Sequence, residues 1–331
     1  MTQVRSSTVG LAFLLAACSP PVVTPAPRTF TAVTFNTGTS EQQLWTPDAG
    51  YGPAQAALSD QFYGDGLAWT PFIEATQRFF AEVQPELVGF QEIFHSPDCA
   101  TVPATAKAGW VCERWMPGEP TVAQVVVGAG YQVACNLGKP DKCVAVKKSF
   151  GKLRGCEQDL CLDGLAGSRV ATCGQGSRVG RGVVDLVAGG SFTVVHVHGT
   201  SGVSTDDANC RKQQVDQVFV DFGLGDGPAA NGTRNLIFGD LNTDPGRFVA
   251  GDPSAARWRD FAGPGARFRF ITPMGPDVPA TYGDVVNIDH VLSDVFSGTC
   301  WVAGVTPGHP PVVAERYFDH KPHVCAVTEA K

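Results

Sequence analysis

An α/β (α+β) fold in which helices cover β-sheets is what this sequence predicts, on three observations. Short β-favouring runs recur from Phe30 to Val327, several ending in polar residues. Two stretches between them repeat apolar residues at helical spacing. Glycine at 38 and proline at 24 of 331 residues exceed ordinary usage, which calls for many turns and shaped loops and argues against a helical bundle. At 43% hydrophobic and 17% charged, the composition excludes both a fully disordered chain and a multispanning membrane protein. A formal charge of -7 excludes a histone-like basic surface as the main binding device.

Arg5, an apolar run from Val9 to Ala17 and then Cys18 read as a signal peptide over residues 1–17, too short for a transmembrane helix. Leu15-Ala16-Ala17-Cys18 resembles the bacterial lipobox, so Cys18 is the expected lipidation site and mature N-terminus. A plain secretory peptide with an incidental cysteine is the competing account. Ser19 after the cysteine points to the outer membrane, with release outside the cell as a second destination. Residues 18–29 hold four prolines and no periodicity, as expected of a tether. The expected protein is exported, lipid-anchored to a bacterial envelope, and has one body over 30–331, because no polar linker interrupts the chain after position 30.

Phe30 to Phe35 alternates as a strand and delivers Asn36 at its C-terminal end. Thr70-Pro71 reads as an N-cap and first-turn proline for a helix with Phe72, Phe79, Phe80 and Val83 on one side, stopped by Pro85. Leu87 to Phe90 is the next strand and ends in Gln91-Glu92. Arg181 to His198 reads as strand, Gly189-Gly190 turn and strand, with Phe192, Val194, His196 and His198 sharing a face. Asp206 or Asp207 caps a helix whose Val215, Val218, Phe219 and Phe222 form its apolar stripe. Leu236-Ile237-Phe238 is a buried strand running into Gly239-Asp240-Leu241-Asn242, and Val285 to Leu292 and Val324 to Val327 are further strands.

Eleven cysteines less Cys18 leave an even ten, so up to five disulfides are expected in an oxidising compartment, with no pairing fixed by spacing. Their clustering at about 99–173, where periodicity is weak, reads as a stapled, loop-rich elaboration. Zinc thiolates are the poorer account, because there is no CxxC pair.

Four apolar strands end in side chains that make poor core material: Asn36, Gln91-Glu92, His196-Val197-His198 and Asp240-Leu241-Asn242. Any one alone reads equally well as a solvated loop residue. Gathered at one sheet edge, they make an oxygen-rich pocket suited to a hard cation such as Mg²⁺ or Mn²⁺, with Ca²⁺ a further candidate outside the cell. Ile288-Asp289-His290 sets an acid inside an apolar strand, and alternation turns His290 away if Asp289 faces the pocket. In Asp319-His320 a carboxylate stands ready to orient an imidazole that takes a proton from water.

These motifs, in this order, resemble those of the endonuclease/exonuclease/phosphatase superfamily, the deoxyribonuclease I-like fold, from about Phe30 to Val327. Thr34-Phe35-Asn36 resembles its first-strand asparagine motif, and Gly89-Phe90-Gln91-Glu92 the motif whose glutamate binds the essential divalent metal. The resemblance gives His198 a phosphate-contacting or leaving-group role, although a shifted alignment puts Ser201 at that position. It has Asp240 position or activate the nucleophile and Asn242 hold the phosphate. Asp289 falls to metal or histidine support, His320 is the general base and Asp319 its orienting partner. Asn36, Asp289 and Asp319 join Glu92 as metal ligands. His196 stands where many relatives have asparagine, and Asn287 where an arginine is usual. The implied fold is a four-layer sandwich of two central mixed β-sheets flanked by helices. The implied activity is metal-dependent phosphodiester hydrolysis by a monomer, with in-line attack of water and no covalent protein intermediate.

Glu92-x-Phe94 is similar to secreted and neutral sphingomyelinases, where deoxyribonucleases of the family tend to carry an arginine. The stretch from Gly199 through Asp206-Asp207 to Cys210-Arg211 and Gln214 is also similar to theirs. A phospholipid or another small phosphodiester is thus the first substrate reading, with the membrane as a partner through the N-terminal anchor. DNA or RNA is the second, served by the basic runs Lys147-Lys148, Lys152, Arg154 and Arg178, Arg181. Trp110, Trp115 and Trp301 are candidates for the exposed apolar element that a lipid substrate requires. A third reading is a surface-binding lipoprotein that kept the fold and lost catalysis.

Overall fold

The computed structural model describes residues 29–39, 50–174, 176–223, 225, 227–313 and 317–329. The signal peptide, the lipidation site Cys18 and residues 18–28 of the tether lie outside them. Among the described residues no helix is long and apolar enough to cross a membrane.

The chain runs through β1 (Thr29–Asn36), α1 (Pro53–Leu58), α2 (Thr70–Val83), β2 (Leu87–Gln91), α3 (Val122–Val127), β3 (Tyr131–Asn136), β4 (Lys139–Lys147), β5 (Gly151–Leu153) and β6 (Leu160–Ser168). It continues through β7 (Val179–Leu186), β8 (Ser191–His198), α4 (Thr205–Phe219), β9 (Asn235–Asp240), α5 (Pro253–Phe261), β10 (Arg269–Phe270), β11 (Asp289–Ser293), β12 (Phe296–Val302) and β13 (His323–Glu329). Thirteen strands make one mixed sheet in the order β10-β11-β9-β8-β7-β6-β3-β4-β2-β1-β13-β12, with β5 beside β7. What the family resemblance implies as two sheets is one hydrogen-bonded path here. The link is β6, which pairs in parallel with β3 at Val133↔Leu160 and antiparallel with β7 at Ala166↔Arg181.

Period-two alternation sorts the side chains into layers. Ala32, Leu87 and Val144 from one half of the curled sheet meet Val194, Leu236 and Val291 from the other in a shared core. The opposite face of the first half, with Val33, Phe35, Val88 and Phe90, packs under α2 and α3. Val195, Val197 and Ile237 of the second half pack with Val215 and Val218 of α4 and Trp258 of α5. The halves approach closely because residue 89 is glycine: a Cβ there would lie 2.1 Å from the Phe238 ring.

Local details differ from expectation at several places, among them β11, which begins at Asp289 rather than Val285, and α4, which ends at Phe219 and leaves Phe222 beyond it. Trp69 occupies the N-cap of α2, so Thr70 is already helical and Pro71 falls in the first turn. Ser204 caps α4 through a capping box with Asp207, which displaces Asp206 and Asp207 from that role. Segment 99–173 is no mere loop-rich elaboration, since it supplies α3 and β3 to β6. Of its strands, β3 hides from a period-two reading because it is buried along its whole length. The stapling itself is present, with pairs Cys99–Cys112, Cys135–Cys143, Cys156–Cys161, Cys173–Cys210 and Cys300–Cys325.

The shared core turns polar toward one end. The parallel pairs place Asn36 beside Gln91 and His198 beside Asp240, and antiparallel β11 sets Asp289 opposite Asp240. Register thus aligns Asn36 with Gln91 in one half and His198, Asp240 and Asp289 in the other, and the Asn36–Asp240 hydrogen bond joins the two sets.

Candidate active site

Three oxygens converge beside Gly38. A Cβ placed on that glycine would lie 2.4 Å from Glu92 Oε2 and 3.1 Å from both Asn36 Oδ1 and Asp319 Oδ1. The spot is open because the residue there has no side chain. Asn36 is fixed with its oxygen toward this point, since its Nδ2 donates to Asp240 Oδ2 at 3.0 Å and its Oδ1 accepts the Gly38 N–H at 2.9 Å. Asp319 Oδ1 is buried without a hydrogen-bond partner. Three convergent oxygens, one of them an orphaned buried acceptor, fit a hard divalent cation.

Beside them lies an imidazole group. His320 Nδ1 is 2.7 Å from Asp289 Oδ2 and its Nε2 3.7 Å from Asp240 Oδ2, with all three residues buried. Asp240, Asp289 and His320 offer ligand atoms within 4.8 Å of one another, a cluster itself consistent with a divalent ion. The sequence reading of Asp319 as the partner of His320 is corrected here. Asp289 holds the imidazole, while Asp319, one residue before it, faces Glu92 and Asn36.

His198 Nε2 stands between the groups, 3.3 Å from Glu92 Oε1 and 3.6 Å from Asp240 Oδ2. Asn242 donates its backbone N–H to Asp240 Oδ1 at 2.7 Å, and its Nδ2 reaches both Asp240 Oδ2 and the Gly199 carbonyl at 3.0 Å. Glu92 and Asn242 both hold left-handed backbone, φ 57° and 50°, a conformation that costs a non-glycine residue about 1 kcal/mol or more and clusters at functional sites. Behind this shell, Gln91 Nε2 lies 2.6 Å from His196 Nε2, which fits a neutral ring carrying its proton on Nδ1. His290 turns away to Thr272 Oγ1 and the Asn287 carbonyl.

Burial and crowding set the charges. Burial, aided by the charge of Asp289, pushes Asp240 up to about 7 against the pull of His320. Burial likewise raises Asp319 to about 6, with Glu92 and Asp289 adding to it. Burial opposes protonation of His320, but Asp289, Asp240 and Asp319 outweigh it and hold the imidazole well above its ordinary value. Burial and Lys142 bring His198 down to about 4. Glu92 stays below the usual carboxylate range despite its burial, through His198, His320 and Lys142. Four carboxylates around one such imidazole leave an excess of negative charge that a cation would relieve.

No protein-family model matches the chain, and no curated protein matches it. Among solved structures, a conserved protein of unknown function from Enterococcus faecalis V583 superposes with a TM-score of 0.51 at 13% identity, over 90% of this chain and 99% of that one. An endonuclease/exonuclease/phosphatase from Beutenbergia cavernae DSM 12333 gives 0.50 at 14% identity, over 92% of this chain and 72% of that one. The fold is that of the endonuclease/exonuclease/phosphatase proteins.

Several residues important to the edge escaped the sequence reading. Gly38 was invisible because its value is an absence of side chain. Lys142, buried and paired with Asp141 at 2.6 Å, looked like one of many lysines. The substrate signals also move. Phe94 is a core residue packed on Tyr63, and Trp110 is buried in an aromatic cluster with Tyr63, Trp69 and Tyr51. Trp301 is covered by the His309 ring, stacked at 4.0 Å.

Proposed function

We propose that this chain is a divalent-metal-dependent phosphodiester hydrolase that acts on a phospholipid or another small phosphodiester. The convergence of Glu92, Asn36 and Asp319 oxygens beside the Asp289–His320 pair carries the reading. Asp289 accepts the Nδ1 proton and so presents Nε2 as the atom that takes a proton from the attacking water. Asp240, fixed by Asn36 and Asn242, borders the same space and orients that water. His198, whose ring nitrogens have no hydrogen-bond partner among the described residues, stands where it can donate to a phosphate oxygen, and Asn242, its donors committed to Asp240 and the Gly199 carbonyl, reaches phosphate only by releasing one of them. Glu92, Asn36 and Asp319 would hold a hard divalent cation, Mg²⁺ in this proposal, which would supply positive charge to the phosphate and offset the carboxylate field on His320.

Two observations favour a small or lipid substrate over nucleic acid. The pairing Leu87↔Val146 puts Lys147 and Lys148 at the end of the sheet remote from Glu92, and Lys148 and Arg154 are engaged with Asp159 and Asp185. That run cannot line a polyanion groove at the site. Val203, Phe248, Val249 and Val285 are exposed on loops that follow β8 and β9 or precede β11, a placement that suits an apolar substrate surface. Export and anchoring through Cys18 complete the reading, and the mass of the mature N-terminal peptide tests that part.

The deciding experiment measures turnover of sphingomyelin, plasmid DNA and bis(p-nitrophenyl) phosphate in parallel with Mg²⁺, with chelator and His320→Ala controls. Lipid or small-diester hydrolysis that chelator abolishes and His320→Ala cuts at least ~10²-fold is expected. Nicking of DNA without lipid hydrolysis overturns the substrate class, and turnover indifferent to chelator overturns the metal.

A further inference from the structure

We propose that Tyr282 is a positioning residue for the base, its ring holding the His320 imidazole at the angle from which Nε2 meets the attacking water. The inference rests on the functional reading above. The two rings lie 4.8 Å apart, inclined at 53°. Tyr282 is also 40% exposed, so its ring packs on the buried base and reaches solvent at once. Asp289 fixes the imidazole at one atom only, Nδ1. A single hydrogen bond does not set the tilt of the ring about it; in this buried setting packing on the ring faces sets it, and the Tyr282 ring is part of that packing.

The stretch that carries Tyr282 is braced against the site on every side. Tyr282 forms a backbone bridge with His320, the Lys321 N–H donates to the Thr281 carbonyl at 2.7 Å, and the Gly283 N–H donates to the Asp319 carbonyl at 3.2 Å. Thr281 Oγ1 accepts the Asp289 N–H at 3.2 Å. Three consecutive residues therefore touch the base, its carboxylate partner and the neighbouring Asp319. Arg247 ties down the chain on both sides of them, donating to the carbonyls of Pro276, Val278 and Val285, and is itself held by Asp244 Oδ2. A ring on so well-anchored a stretch can hold an angle that a mobile loop could not.

The test compares Tyr282→Ala and Tyr282→Phe, alone and combined with His320→Ala, on bis(p-nitrophenyl) phosphate with Mg²⁺, with thermal unfolding as a check on folding. Tyr282→Ala should lower kcat ~10- to 10²-fold with KM and the Mg²⁺ titration unchanged, since a small misplacement of a reacting group costs that much. The phenylalanine variant should restore most of the loss. In the His320→Ala background Tyr282→Ala should cost nothing more, because a residue that acts through the imidazole has nothing left to act on. Losses that multiply, or a phenylalanine variant as impaired as alanine, overturn the inference while leaving the functional reading intact. A wild type that hydrolyses no phosphodiester removes that reading and this inference with it.

Discussion

Replacing Asp289 by asparagine tests the central correction that the fold makes to the sequence. The carboxylate is fully buried, its Oδ2 lies 2.7 Å from His320 Nδ1, and the substitution keeps its volume. A unit charge at that separation acts on the imidazolium with about 6 kcal/mol at an effective dielectric constant of about 20. That is ample to account for the whole ~10²- to 10⁴-fold contribution of a positioned general base. The amide also presents an N–H where an acceptor is needed, which favours the wrong tautomer of the ring. We expect Asp289→Asn to lower kcat by ~10²- to 10⁴-fold with an unaltered Mg²⁺ titration. Asp319→Asn should instead raise the Mg²⁺ concentration needed for half-maximal turnover. The assay is steady-state hydrolysis of bis(p-nitrophenyl) phosphate across a Mg²⁺ series, with circular dichroism to check folding. Near-normal turnover in Asp289→Asn, beside a metal-independent loss in Asp319→Asn, would falsify the assignment and restore Asp319 as the partner.

Three further outcomes follow from named contacts. Gly38→Ala places a methyl group 2.4 Å from Glu92 Oε2, so calorimetric Mg²⁺ affinity should fall at least ~10-fold while Tm barely moves; unchanged affinity would place the cation elsewhere. Removing Cys173–Cys210, which closes 37 residues, should cost about 4 kcal/mol in urea unfolding, against about 2 kcal/mol for Cys156–Cys161, which closes 5; equal losses would show that chain entropy does not set the ranking. Burial holds His290 down to about 4, so the unfolded state gains its proton first as pH falls. That group's stability is complete above about 6.5 and is lost progressively between about 6.5 and 4, about 3 kcal/mol in all. His290→Gln should flatten the fall in urea midpoint across that window, and an unaltered slope would refute the burial argument.

What the sequence makes legible here is local, and what it hides is set by register between distant strands. Asn36, Glu92 and Asp240 could be read because each ends a run of apolar, β-favouring residues, and a polar side chain at such a point needs a reason. The β7–β8 hairpin and the α4 stripe were legible for the same cause, a period visible within about a dozen residues. Strands β3 to β6 were not: β3 is buried along its whole length and loses alternation, β5 has only three residues, and the cysteines mark covalent links rather than periodicity. The roles of Asp289 and Asp319 show the limit most clearly. Asp319 adjoins His320 in the chain, and adjacency suggests partnership. Yet the pairing of Tyr282 with His320 and of Thr39 with Phe318 clasps this segment from both sides. Consecutive side chains on such an extended segment point apart, so Asp319 goes to the oxygen cluster and His320 toward β11. There Asp289 waits opposite Asp240, put in place by a ladder whose two strands lie some 50 residues apart in the chain. A neighbour in sequence is thus the residue least able to share an imidazole on extended backbone, and the partner has to come from another strand.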